Sequence, residues 1–250
     1  MANKAQVTST TSNGICELAL DSPGRKNALS YALLDDLHKK LAAARQDNAR
    51  AVIITGAGDA FSAGADFRDL TGTIDDLAID DAIELIVEQI RSFPAPVFAA
   101  VDGPCMGGAI DIALSCDLLV ASKKAVFEMP AARLGLLYNP ESIKRWSARL
   151  NSMTLRRMLL LSERFSAAEA LQAGVVSHLV EDGSALDHSK QLAARSAECT
   201  PEAIAGYKGV LGAIEDGETD LDEWEKVRRQ TLESAERAER VASAKKSTNN

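Results

Sequence analysis

The sequence contains few residues of the types that build metal and disulfide sites. Its four cysteines, Cys16, Cys105, Cys116 and Cys199, are scattered, and its three histidines form no His-x-His pair. No CxxC pair occurs either. We therefore predict no metal site and no disulfide framework, and the scattered thiols indicate a reducing compartment, in keeping with a cytoplasmic location.

The sequence also lacks an excess of positive charge and a long apolar run. Its 28 lysines and arginines are outnumbered by 36 aspartates and glutamates, which gives a net charge of −8. Because the electrostatic field of a negatively charged protein repels nucleic acid, we expect no nucleic-acid partner. The uncharged stretch 92–101 is too short to span a bilayer, and "MANKAQVTST" has no apolar core of the kind a signal peptide needs. We expect no membrane association.

What the sequence does contain is an alternation of short apolar strands with helical patterns. The stretches "AVIITG", "APVFAAVDG", "DLLVAS" and "AVFEMP" read as buried strands. Helical patterns such as "IDDAIELIVEQIRSF" and "GGAIDIALS" separate several of them. This alternation predicts an α/β core with some parallel strands. At the N-terminus, Asn13-Gly14 predicts a hairpin turn and Ser30 is the predicted cap of the first helix.

The last quarter of the chain has only helical patterns. Its final segment, "DLDEWEKVRRQTLESAERAERVASAKK", is charged on most faces. It is interpreted either as a solvated helix or as a helix that packs on a neighbouring subunit. We place an α/β core at residues 1–195 and a helical, oligomerising region at residues 196–250.

Two glycine-rich loops follow predicted strands, at residues 56–67 and 102–114. Small residues let a ligand approach the backbone closely, and the first N–H groups of a helix have no internal partner. Two such groups that converge on one oxygen would form an oxyanion hole. The alternative is an ordinary Gly-Ala turn of an α/β protein. Neither loop matches a P-loop or GxGxxG, which disfavours a Rossmann-type dehydrogenase.

The residues of these loops carry a resemblance to a known family. The stretches "FSAGADF" and "AAVDGPCMGGAIDIALSCD" resemble the two principal motifs of the crotonase (enoyl-CoA hydratase/isomerase) superfamily. The segments "DSPGRKNALSYALLDDL" and "RFSAAEALQAGVVSHLV" resemble two more, so that the likeness covers about residues 5–246. It implies a spiral of ββα units with a C-terminal helical trimerisation region, a homotrimer or hexamer, an acyl-CoA substrate, and no cofactor beyond the CoA moiety.

The resemblance also implies roles for single residues. The backbone N–H groups of Ala65 and Gly108 would hold the thioester oxygen, the Ala63 carbonyl would meet the adenine, and Lys26 with its neighbouring backbone would help hold CoA. Lys245 or Lys246 is either a ligand of a neighbouring subunit's CoA phosphate or a solvated tail charge. The remaining positions expected to bind CoA or substrate are Asn27, Asp66, Gly107, Ala131, Leu134 and Tyr138.

The sequence departs from the family at the acid/base positions. Typical hydratases carry two glutamates, and here the first position is Asp111 and the second is Ala131. Some isomerases and a dehalogenase place a carboxylate where this chain has Asn139, and a small loop insertion would bring Glu141 there. We predict Asp111 and Glu141 as catalytic residues. The alternative is that each carboxylate only stabilises the first turn of a helix, by about 0.3–1 kcal/mol.

One further stretch resembles a decarboxylase of the family. "LGLLYN" is similar to a loop of methylmalonyl-CoA decarboxylase, with Tyr138 matching its tyrosine, but Asp66 stands where that enzyme has a histidine. Asp66 is otherwise expected to cap a helix at "FRDL". The leading hypothesis is therefore a hydratase/isomerase-type reaction with a non-standard acid/base set. A malonyl-type decarboxylase and a non-catalytic acyl-CoA-binding scaffold are the alternatives.

Overall fold

The computed structural model describes residues 4–248, with side chains through residue 246. Residues 1–3, which belong both to the predicted core and to the stretch tested for a signal peptide, lie outside the described range. The last two residues of the predicted C-terminal region also lie outside it.

Two sheets organise the described residues. The larger sheet has the order β1-β2-β3-β4-β6-β9, and only its first pair is antiparallel. The smaller sheet has the order β5-β7-β8. The strands are β1 (Gln6–Ser12), β2 (Ile15–Asp21), β3 (Ala51–Gly56), β4 (Val97–Val101), β5 (Pro104–Met106), β6 (Leu118–Ser122), β7 (Val126–Glu128), β8 (Phe165–Ser166) and β9 (His178–Val180).

Helices cover both faces of the larger sheet and form the C-terminal part of the chain. They are α1 (Tyr31–Gln46), α2 (Leu77–Arg91), α3 (Gly108–Ser115), α4 (Pro140–Arg149), α5 (Ser152–Leu160), α6 (Ala167–Gln172), α7 (Ala185–Ala197), α8 (Pro201–Glu215), α9 (Asp222–Glu233) and α10 (Ala235–Thr248). Short 3₁₀ helices span Ile74–Asp76 and Ala131–Leu134.

The N-terminal predictions are confirmed. Asn13 and Gly14 both have positive φ, 51° and 76°, as a two-residue type I′ hairpin turn requires, and β1 pairs with β2 from Gln6 opposite Asp21 to Ser12 opposite Ile15. Ser30 caps α1, because its hydroxyl accepts a hydrogen bond from the backbone N–H of Leu33 at 3.3 Å.

The central strands are almost entirely apolar because helices bury both of their faces. Leu37 of α1 and Ile86 of α2 belong to the large core cluster on one face. On the other face, Ala193 of α7 joins a second cluster with Ile53 and Phe98. A parallel strand covered on both sides reads as a continuous apolar run, which explains the sequence pattern of β3 and β4.

The two glycine-rich loops meet at one edge of the sheet. Because β3 and β4 are parallel neighbours, the chain leaves both at the same edge, after Gly56 and Val101 respectively. The Met106 N–H donates to the Ser62 carbonyl at 3.0 Å. A Cβ atom on Gly64, whose φ is +85°, would lie only 2.7 Å from the Met106 carbonyl oxygen. The loops are thus in direct backbone contact, and only glycine fits at residue 64.

The C-terminal helices leave apolar side chains in contact with solvent. Neither α8 nor α9 has a buried residue in the chain by itself, and Tyr207, Leu211 and Ile214 of α8 are each more than half exposed. Lys245 and Lys246 are exposed on α10. No helix among residues 4–248 is both long enough and apolar enough to cross a membrane.

Candidate active site

A cavity of about 560 Å³ opens where the two loops, α2 and the segment after β7 meet. It is lined by most of the residues that the sequence singled out, although they are far apart along the chain. These residues are Ala63, Ala65, Gly107, Gly108, Asp111, Ala131, Leu134 and Tyr138. The sequence-predicted residues outside the lining are Lys26, Asn27, Asp66 and Glu141.

Two backbone N–H groups in the lining have no acceptor. Those of Ala65 and Gly108 donate to no atom within residues 4–248. Gly108 is the first residue of α3, where a helix N–H is unpaired and the dipole leaves partial positive charge. A Cβ placed on Gly107 would lie 3.9 Å from the Gly64 Cα, so the loops that carry both donors touch. The cavity therefore offers two free donors from adjoining loops.

Asp111 lies in the first turn of α3, buried at the cavity wall with 4% of its surface exposed. Its Oδ2 accepts from the Ser142 hydroxyl at 2.7 Å, and its Oδ1 accepts from Trp146 Nε1 at 2.8 Å. The Arg145 guanidinium lies 3.6 Å from Oδ2 and is held by both oxygens of Glu84. Burial raises the pKa of Asp111, and the two donors and the guanidinium act against that rise. The carboxylate is fixed in orientation but keeps free lone pairs.

Tyr138 stands beside Asp111 on the cavity wall. Its ring packs edge-to-face on Trp146, with centroids 5.2 Å apart and an interplanar angle of 83°. Its hydroxyl lies 3.8 Å from the position that a Cβ on Gly107 would take. Burial, followed by nearby acidic side chains, raises the pKa of Tyr138, so the phenol stays protonated and can donate a hydrogen bond.

This chain has no carboxylate at the position of the family's second acid residue. Ala131 lines the cavity with a methyl group. The structure does not bring Glu141 into the space nearby: α4 begins at Pro140, and the Asn139 side chain caps Glu141 by accepting its N–H at 3.0 Å. The Glu141 side chain is exposed and lies 3.4 Å from Lys144. Its expected position in the cavity is therefore corrected to the solvent-facing first turn of α4.

Asp66 forms contacts within and around the first glycine-rich loop and does not line the cavity. It is buried and forms ion pairs with Arg25 and, at 3.3 Å, with Arg68. The expected helix at "FRDL" is wrong, because residues 67–69 form a turn in which Asp66 Oδ1 accepts the Arg68 N–H at 3.1 Å. Asp66 therefore caps a turn with one oxygen and pairs with Arg25 through the other.

The segment around Lys26 holds the first glycine loop in place. The Lys26 carbonyl accepts the Ala63 N–H at 2.8 Å, while its side chain is exposed. The buried Asn27 donates to the carbonyls of Ala57 and Ala60 at 2.9 Å and 2.8 Å. Contacts of this segment with CoA stay a prediction.

Asp80 is a residue of the site that sequence reasoning missed. It lines the cavity from α2 and is half-buried. Burial raises its pKa most, followed by the like charges of Asp81, Asp111 and Asp76. Its carboxylate has no hydrogen-bond or ion-pair partner among the described residues. The sequence does carry a signal for Asp80: it is an acidic residue on the apolar face of an amphipathic helix, one turn before Ile83.

The titratable side chains of the lining are all acidic. No Lys, Arg or His lines the cavity in the described part of the chain, and residues 4–248 contain no cluster of metal ligands. Carboxyl groups, a phenol and unpaired backbone donors are the polar groups that a substrate would meet.

Comparison with known proteins gives the family. The model of the enoyl-CoA hydratase/isomerase family matches residues 10–246. The "Probable enoyl-CoA hydratase echA6" of Mycobacterium tuberculosis is 33% identical over 210 residues, 83% of this chain and 84% of that protein. Methylmalonyl-CoA decarboxylase of Escherichia coli is 32% identical over 209 residues, 82% of this chain and 80% of that protein.

The fold agrees with the sequence comparison. The crystal structure of an enoyl-CoA hydratase from Polaromonas sp. JS666 has a TM-score of 0.84 and 27% identity, and covers 95% of each chain. The crotonase resemblance read from the loops is confirmed. The chain belongs to the enoyl-CoA hydratase/isomerase family and is an acyl-CoA enzyme of that family.

Proposed function

We propose that this enzyme isomerises 3-enoyl-CoA thioesters to 2-enoyl-CoA thioesters, with Asp111 as the base. One observation carries the proposal: Asp111 is fixed within one turn of the unpaired Gly108 N–H, while Ala131 stands where a second acid would be. Isomerisation needs a base near Cα and a proton at Cγ, and no bound water.

The backbone donors would stabilise the intermediate. With the thioester oxygen between the N–H groups of Ala65 and Gly108, loss of a Cα proton gives a dienolate whose charge lies largely on that oxygen. The enolate oxygen carries more charge than the ground-state carbonyl, so the donors favour the transition state over the substrate. One such donor contributes about 2.7–4 kcal/mol.

Asp111 would then move the proton. It takes a proton from Cα, the C–H electron pair becomes part of the Cα=Cβ bond, and the former Cβ=Cγ pair takes a proton at Cγ. The raised pKa makes Asp111 a stronger base than an exposed aspartate. Ser142 and Trp146 keep its oxygens aimed at one place throughout.

Hydration of a 2-enoyl-CoA is less well supported. It needs a water oriented by one group and a proton delivered by another. At the family's second acid position Ala131 offers no polar side-chain group that could orient that water.

A malonyl-type decarboxylation is the second candidate. It is favoured by the Tyr138 hydroxyl in the lining and by the similarity to methylmalonyl-CoA decarboxylase. Against it, the described lining carries Asp80 and Asp111 but no cation to receive the second carboxylate of such a substrate. A non-catalytic scaffold is disfavoured by the same carboxyl groups, since binding alone needs neither.

We also propose a homotrimer or a pair of trimers, because α8 and α9 bury no residue within one chain while α8 exposes several large apolar side chains. The cytoplasmic location and the absence of a nucleic-acid partner stay predictions from composition.

A substrate comparison with two variants tests the reaction. Wild-type protein is incubated with 2-enoyl-, 3-enoyl- and malonyl-type CoA thioesters. We expect the 3-enoyl substrate to gain conjugation without a change of mass. Asp111→Asn should lower kcat about 10²–10⁴-fold, the range for a lost general base. Its amide can still accept from Trp146, so the fold should survive.

Glu141→Gln is the matched control, because it makes the same chemical change on an exposed residue. Its kcat should equal that of the wild type. A product that gains water or loses carbon dioxide would contradict isomerisation, and an Asp111→Asn enzyme with wild-type kcat would remove the assigned base.

A further inference from the structure

One face of α2 lies directly over the first turn of α3. Asp80, Ile83 and Glu84 have i, i+3 and i+4 spacing and therefore share that face. The Ile83 Cδ1 lies 2.6 Å from the place where Gly108 would carry a Cβ. Glu84 binds the Arg145 guanidinium with both oxygens at 2.7 Å. These two contacts fix the helix, and Asp80 is one turn nearer its N-terminus, where the face opens into the cavity.

The surroundings of Asp80 differ in kind from those of Asp111. The groups around Asp80 are Asp76 and Asp81 of its own chain segment, Asp111 from α3 and the Tyr138 hydroxyl, all acidic. The Arg145 guanidinium is engaged by Glu84 and lies 3.6 Å from Asp111. Burial raises the pKa of both carboxyl groups, but only Asp111 has two donors and a cation that act against the rise. Two carboxyl groups that line one cavity in such unlike surroundings fit the pattern of an acid/base pair.

We infer that Asp80 is a second catalytic residue, the acid that delivers a proton to Cγ while Asp111 removes the proton from Cα. This inference rests on the proposed isomerisation. The two residues line the cavity from different helices: Asp111 from α3, whose first N–H would hold the thioester oxygen, and Asp80 from α2.

The two-residue reaction balances without a further reactant. The Asp111 carboxylate takes the Cα proton, the double bond moves from Cβ=Cγ to Cα=Cβ, and the Asp80 carboxyl gives its proton to Cγ. Asp111 is then neutral and Asp80 ionised. Exchange of one proton each with water restores both, so substrate and product remain isomers.

An isotope experiment separates this route from a one-base shuttle. A 3-hexenoyl-CoA carrying deuterium at Cα is converted in ordinary water, and the product is analysed for deuterium at Cγ. In the two-residue route the hydrogen at Cγ comes from Asp80 and hence from solvent, so we expect deuterium at Cγ in less than about a tenth of the product. A shuttle by Asp111 alone carries the same deuterium to Cγ.

Asp80→Asn and Glu88→Gln complete the test. Glu88 is exposed, lies outside the cavity lining and is about two turns further along the same helix, so its variant repeats the change from carboxylate to amide away from the site. We expect Asp80→Asn to lose about 100-fold or more in kcat, in the range for a lost general acid. Its residual product should retain deuterium at Cγ, while Glu88→Gln behaves as the wild type.

Each result decides the matter. Retention of most deuterium by the wild type, or an Asp80→Asn kcat within threefold of the wild type, overturns the role of Asp80 and leaves the isomerisation standing. Absence of any 3-enoyl conversion by the wild type overturns the proposed function and this inference together. Solvent hydrogen at Cγ with loss of kcat in Asp80→Asn alone supports the inference.

Discussion

At the scale of single residues, the site depends on how Asp111 is held. A carboxylate buried beside a substrate is useful as a base only if it stays ionised and points in one direction. Ser142 and Trp146 favour both conditions, because each donates to a different oxygen. Hydrogen bonds to the charged form favour that form and so oppose the effect of burial on the pKa.

Trp146→Phe tests this arrangement. The change deletes the Nε1–H donor but keeps an aromatic ring in a site that is 1% exposed. The pKa of Asp111 should rise, since its charged form loses a donor. The base must be ionised to act, so the acid limb of the kcat/KM profile should move to higher pH, while kcat well above that limb changes little.

The acid limb of the kcat/KM profile should also move to higher pH in Ser142→Ala. This change removes the other donor to Asp111 and deletes only a single side-chain oxygen. If the acid limb stays in place in both variants while kcat falls at every pH, the two residues only support packing and do not set the ionisation of Asp111.

Sequence reasoning found some residues of the cavity and missed others. Ala65, Gly108 and Asp111 were assigned from the family resemblance of the two glycine-rich loops, and all three line the cavity. Glu141 was misplaced because Pro140 begins a helix there, and Asn139 then directs the next residue to solvent. Asp80 was missed because its place in the cavity depends on how α2 packs over α3, a long-range contact that no local pattern specifies.

At the scale of elements, strong local sequence signals predicted the turns, caps and strands correctly, and a weak one did not. The Asn13-Gly14 turn, the Ser30 cap and the apolar central strands all occur as predicted, because each follows from backbone conformation or from burial on both faces. At "FRDL" a turn stands in place of the expected helix, and Asp66 both caps that turn and pairs with Arg25, 41 residues away in sequence. The local pattern gives no sign of this distant partner.

The contact between the two glycine loops is also an element-scale property. The order of β3 and β4 in a parallel sheet sends both loops to one edge. The alternation of strands and helices in the sequence predicts parallel pairing but not which strands are neighbours. The convergence of Ala65 and Gly108 on one cavity was therefore expected from family resemblance and from no sequence pattern alone.

At the scale of the whole molecule, the C-terminal helices expose apolar surface that the rest of a single chain does not cover. Tyr207, Leu211 and Ile214 project from α8 with 70%, 59% and 53% of their surface exposed. Apolar surface of this kind is typical of an interface between subunits. The charged outer faces of α9 and α10 would then remain in solvent.

We predict a solution mass that is a multiple of three times the 26.6 kDa chain, measured by light scattering or sedimentation. Leu211→Asp should lower that mass without changing the far-UV circular dichroism. Leu160→Asp, at an equally exposed leucine of α5 outside the C-terminal region, is the control and should leave the mass unchanged. A wild-type mass equal to one chain would contradict an oligomerising role for residues 196–250.

The central claim is that backbone donors of the two loops hold the enolate oxygen, and Gly108 allows it to be tested directly. Gly108→Pro and Gly108→Ala both place a Cβ against the movable end of Ile83, but only proline removes the N–H. Proline is tolerated at the first position of a helix, so both variants should fold. The decisive measurement is the kcat of each for the 3-enoyl-CoA substrate. We expect the proline variant to be about 10²–10³-fold slower than the alanine variant, and equal rates in the two folded proteins would contradict the claim.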